Sequence, residues 1–120
     1  MLKRYSIAFA MILLSASAAS ACRVPTIRTL DNQTVTGTMF ATSGRRCSII
    51  VRHSGGPMFT ASLVSNARNG SVVVSGGRIT YTSRAGYVGD DEFTYSRRGL
   101  NTRNEQVVRT VTVNVKVAAK

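Results

Sequence analysis

Few residues in this 120-residue chain have the type and spacing to do chemistry. His53 is the single histidine and stands beside Ser54. A serine hydrolase needs a base oriented by a third group, and an oxyanion hole; adjacency of Ser and His in sequence supplies neither. No Gly-x-Ser-x-Gly elbow and no phosphate-cradling glycine loop occurs. With Ser54-Gly55-Gly56-Pro57 following it, His53 reads as a turn residue. Asp90-Asp91-Glu92 is a compact acidic triplet that could pair carboxylates for acid–base work. Beside Gly89 it reads better as turn closure and solvated charge. Two cysteines and one histidine fall short of the four spaced ligands of a zinc site. The expectation is no catalytic residue, no metal, no cofactor and no small-molecule substrate.

The cysteines carry the covalent chemistry. Cys22 and Cys47 are the only two, so an oxidising compartment allows one intramolecular bridge. Closing that loop contributes roughly 3.5 kcal/mol in the chain-entropy account. The competing chemistry is lipidation of Cys22. Ser20-Ala21 fits the residues before a lipidated cysteine, whereas Ala19 stands where Leu is usual. The two options exclude each other.

Charge is the other chemical signal. Sixteen basic residues face five acidic ones, a net charge of +11. Arg suits bidentate contact with phosphate and carboxylate, and a basic protein is drawn to polyanions. Arg97, Arg98, Arg103 and Arg109 would form a polyanion patch if they share one sheet end. No aromatic residues interleave with them, which argues against base stacking.

Residues 1–21 explain where this chemistry takes place. Lys3 and Arg4, the apolar run Ile7–Leu14 and the small residues ending in Ala19-Ser20-Ala21 read as a cleaved signal peptide. The run is too short to span a bilayer, which needs about 20 apolar residues, and no later segment reads as a transmembrane span. The mature domain is expected at residues 22–120, secreted or periplasmic, or anchored by lipid at Cys22. Removing Lys3 and Arg4 leaves it at +9.

The elements that position these residues are strands. Gln33–Phe40 is rich in Thr and Val, and Arg46–Arg52 is a short apolar run. Met58–Val64 alternates loosely, and Ser71–Ser75 and Arg78–Thr82 flank a Gly76-Gly77 hairpin turn. Glu92–Arg97 follows Gly89-Asp90. Val111, Val113, Val115 and Val117 alternate with polar residues, the mark of a strand with one buried face. About seven short strands without helical periodicity point to an all-β, antiparallel sandwich or barrel.

Gly70, Val72, Tyr81, Tyr87, Gly89, Asp91, Phe93, Tyr95 and the valine-rich last strand carry a further signal. Over residues 69–117 the chain resembles the bacterial immunoglobulin-like and cadherin-like domains found in tandem in large surface proteins. That resemblance implies an Ig-like β-sandwich with Tyr81, Gly89, Asp91, Phe93 and Tyr95 as its fold motif. Gly89 is expected at positive φ, Asp91 as a backbone acceptor, and Phe93 and Tyr95 on one core-facing side. Ser83 replaces the usual Pro, and Arg98 replaces the acidic residue that precedes the glycine, which argues against calcium. The functional expectation is a non-enzymatic structural or protein-binding module of the cell envelope. The alternative is a cationic binder of lipid phosphate, acidic glycan or nucleic acid.

Overall fold

The computed structural model describes residues 22–51 and 60–120. Seven strands follow one another: β1 (Gln33–Thr42), β2 (Arg46–Ile50), β3 (Thr60–Ser65), β4 (Gly70–Ser75), β5 (Arg78–Ser83), β6 (Gly89–Leu100) and β7 (Gln106–Ala118). They form two sheets. One has the order β1-β7-β6-β3 and the other β2-β5-β4. All pairs are antiparallel except β1 with β7, which run parallel from Gln33↔Arg109 to Thr42↔Ala118.

Alternation builds the interior. Val111, Val113, Val115 and Val117 of β7 are buried, and so are Asp91, Phe93, Tyr95 and Arg97 of β6. Tyr81 and Ile79 close the space from the opposite sheet with no exposed surface. The Tyr81 and Phe93 rings lie nearly parallel, with centroids 6.0 Å apart, and Tyr95 continues the row at 6.4 Å from Phe93. Rings at such separations add to the apolar burial that drives the two sheets together.

The segment before β1 straps the β1–β2 flank. Arg23 bridges Phe40 through both backbone hydrogen bonds, 2.9 and 2.8 Å. Its guanidinium lies 4.2 Å from the centre of the Phe40 ring. Cys22 is joined to Cys47 in a disulfide, with Cα atoms 5.2 Å apart. The bridge engages the thiol that a lipid would need. Cys47 itself is buried in β2, directly opposite Tyr81.

The Gly76-Gly77 hairpin stands where the sequence placed it, with Ser75 facing Arg78 and Gly76 at φ 60°. β6 differs from expectation. Gly89-Asp90 opens the strand instead of preceding it as a turn, because pairing with β7 runs unbroken from Gly89↔Val117 to Leu100↔Gln106. β3 begins at Thr60; Met58, His53 and the Ser54–Pro57 breaker lie outside the described residues, as does the signal segment 1–21.

Candidate functional site

β6 carries four buried groups in a row on its inner face: Asp91, Phe93, Tyr95 and Arg97. A carboxylate therefore stands at one end of the sandwich and a guanidinium at the other, roughly 20 Å apart along an extended strand.

The Asp91 end is fully bonded. Oδ1 accepts the backbone N–H groups of Arg68 (3.0 Å) and Glu92 (2.9 Å). Oδ2 accepts the N–H of Asn69 (3.0 Å) and the Tyr81 hydroxyl (2.8 Å). One side chain thus ties β6 to the opposite sheet and to the connection leading into β4. Burial, and then the Asp91 contact, push the Tyr81 hydroxyl far above its ordinary range, so it remains a donor. Asp91 accepts backbone bonds from its neighbour Glu92 and from Arg68 and Asn69 in the connection before β4.

Gly89 and Gly70 let this end form. Gly89 adopts φ 137°, a region that favours glycine. A Cβ on Gly70 would collide with the Thr82 carbonyl oxygen, so β4 could not lie this close to β5 with any other residue there. Ser83 is buried. It accepts the Gly44 N–H at 2.9 Å and donates to the Arg84 carbonyl at 3.0 Å.

Strand alternation splits the acidic triplet. Asp91 points inward, while Asp90 and Glu92 are exposed on the outer face. Asp90 pairs with Lys116 at 3.2 Å. Asp91 is thereby largely withheld from solvent, while Asp90 and Glu92 share the outer face and line, with Asn66, Arg68, Asn69 and Asn114, a cleft of about 640 Å³.

The opposite end distributes the four arginines over different surfaces. Arg97 and Arg109 face one another across β6 and β7 and lie on the inner side. Arg98 is exposed on the other face opposite Thr60, and Arg103 is exposed in the β6–β7 turn. Burial, with Arg109 adding repulsion and Tyr95 offsetting part of it, lowers the Arg97 guanidinium below its usual range. Arg109 Nε donates to Asp31 Oδ1 at 2.8 Å. Asn101 organises the turn: its Oδ1 accepts the N–H groups of Arg103 and Glu105, and its Nδ2 reaches Asp31 and Glu105. Hydrogen bonds from Arg109 and Asn101 hold the Asp31 carboxyl below the usual carboxylate range. A cleft of about 480 Å³, lined by Val24, Ile27, Ile49, Val51, Tyr95 and Arg97 among others, opens beside this end.

Asp31 and Asn101 were not singled out in the sequence. The Asp31-Asn32 pair before a strand is a turn signal that could have marked the first. Asn101 carries the same kind of signal, since its Oδ1 accepts the Arg103 N–H two residues on, but its reach to Asp31 is non-local. Among the described residues, no group of three His, Cys, Asp or Glu side chains could hold a metal ion.

A family model described as a bacterial Ig domain matches residues 17–116. No curated protein matches the chain closely enough to count as a relative. The two packed sheets agree with an Ig-like sandwich, and the chain belongs to the bacterial Ig domain family.

Proposed function

We propose that the chain is an exported, non-catalytic β-sandwich that works outside the cytoplasm as a structural or protein-binding module of the cell envelope. The observation that carries this reading is the use of Asp91. The buried carboxylate of β6 accepts four hydrogen bonds, of which that from the Tyr81 hydroxyl crosses to the opposite sheet and those from Arg68 and Asn69 hold the β3–β4 connection. A buried carboxylate bonded in this way holds the sandwich together. The Cys22–Cys47 bridge supports an oxidising compartment, and the segment before Cys22 has the order of an export signal.

The intact mass of the protein recovered from the envelope fraction or medium tests this. The expected mass is that of residues 22–120 less two hydrogens. Recovery of the full-length chain from the cytoplasm with both thiols free would overturn it.

One observation favours a second reading. Arg98 and Arg103 are exposed at one end of a chain with a net charge of +11. Contacts with several phosphate or sulfate groups would hold the protein on heparin well above physiological ionic strength. Elution below about 0.15 M salt removes the polyanion reading.

A further inference from the structure

Charge is divided between the two sheets. No Asp or Glu occurs from residue 32 to residue 89. The five acidic residues, Asp31, Asp90, Asp91, Glu92 and Glu105, all lie in or beside the β1-β7-β6-β3 sheet. Strands β2, β5 and β4 and the described turns beside them carry arginines and no acid. Strand alternation fixes which groups reach the outer face of that sheet. Cys47, Ile49, Val72, Ile79 and Tyr81 are buried, so their neighbours point away from the core. The register sets them in three rows: Arg46, Thr82 and Ser71; Ser48, Thr80 and Val73; Ile50, Arg78 and Ser75. These rows cover roughly 10 Å across the strands and 14 Å along them.

Arg46 stands in the first row and Arg78 in the last. Arg45, Arg68 and Arg84 are exposed beside the first row, where the Arg84 N–H bonds the Asn69 carbonyl at 2.8 Å. Among the described residues no carboxylate forms an ion pair with any of these five guanidinium groups. At the β6–β7 turn, by contrast, Asp31 and Glu105 stand among the arginines. The uncompensated positive field therefore belongs to the three-stranded sheet. Its chemistry chooses the ligand. Arg matches phosphate in bidentate geometry, and Ser71, Ser75 and Thr82 add hydroxyl donors. Ile50 and Val73, 48% and 60% exposed, lie on the same face. Such side chains gain burial at a lipid headgroup boundary, and none against a hydrated glycan or phosphodiester chain. No aromatic residue occupies the nine positions, so nucleic-acid bases have nothing to stack on.

We propose that the outer face of the β2-β5-β4 sheet is a docking surface for an anionic phospholipid bilayer. Arg46 and Arg78 take lipid phosphates, and Ile50 and Val73 settle against the headgroup boundary. This rests on the polyanion reading above and moves its site from the β6–β7 end to the opposite sheet. Attraction between the arginines and the anionic surface supplies most of the affinity, and the two apolar side chains distinguish a bilayer from other polyanions.

Co-sedimentation of the disulfide-bonded protein with vesicles tests this. Vesicles of phosphatidylcholine mixed with phosphatidylglycerol are expected to carry the protein down, and vesicles of phosphatidylcholine alone to leave it in solution. The double variant R46Q/R78Q is expected to bind the mixed vesicles about thirtyfold more weakly. R98Q/R103Q removes the same charge at the β6–β7 end and is expected to weaken binding by no more than about threefold. I50S/V73S keeps every charge; it is expected to lose vesicle binding severalfold and to stay on heparin as the parent does. All six substituted positions are exposed, and an unchanged urea midpoint checks that each variant is folded. Equal losses in the two arginine variants, or parental vesicle binding by I50S/V73S, would overturn the proposal. So would retention on heparin or DNA without binding to the mixed vesicles. After any of these failures, retention on heparin above about 0.15 M salt would keep the polyanion reading, and release below it would remove both.

Discussion

The two ends of β6 present opposite solutions to a charge inside a sandwich. At one end, Asp91 accepts four hydrogen bonds from three segments of the chain. At the other, Arg97 and Arg109 stand opposite each other, and Arg109 pairs with Asp31, a rim residue exposed to solvent. Bonds to a buried, charged acceptor contribute more than neutral ones, and removing the acceptor leaves several donors unsatisfied. A rim pair is screened and contributes little. The Asp91 end is therefore where the fold is held, and the Arg97 end contributes less to it.

The largest expected effect comes from Asp91→Ala. It leaves the Tyr81 hydroxyl and three N–H groups without their acceptor, and urea denaturation should show a loss of about 3–4 kcal/mol. Replacing both cysteines by serine comes next. Cys47 faces Tyr81, so the bridge staples the N-terminal strap onto the locked half. Its removal should cost about 3 kcal/mol.

Tyr81→Phe is smaller, about 1–2 kcal/mol, since the ring stack with Phe93 is kept and one hydroxyl bond is lost. It also changes the alkaline response. The folded-state value of Tyr81 is raised, so its contribution is fully present below the ordinary tyrosine value near 10 and is lost as pH rises beyond it. Unfolding curves above pH 10 should fall less steeply in Tyr81→Phe than in the parent.

The smallest effect belongs to Asp31→Asn. Its lowered value gives a contribution present above the ordinary carboxylate range and lost as pH falls through it, but solvent screens the pair. The unfolding midpoint should not move measurably at physiological salt. A large shift there would erase the contrast between the two ends.

Much of the inner face was legible in the sequence because strand periodicity is local. Val111 to Val117, and Phe93 with Tyr95, alternate in a way that only an extended, half-buried strand explains. The Cys22–Cys47 bridge was readable as one of two exclusive fates for Cys22. What was not legible is non-local. Nothing near Asp91 says that its partners are Arg68, Asn69 and Tyr81, which reach it through the packing of two sheets. Nor does β1 carry a signal that it runs parallel to β7. The same alternation separates Arg97 from Arg98, since neighbours in a strand face opposite ways. The four arginines do lie at one end of the β6–β7 pair, but on different faces of it.

A double-mutant cycle on Asp91→Ala and Tyr81→Phe, read by urea denaturation, tests directly whether a carboxylate–hydroxyl tie across the sheets holds the sandwich. A coupling of about 1–2 kcal/mol is the expected result. Additive losses, with coupling below about 0.3 kcal/mol, would contradict it.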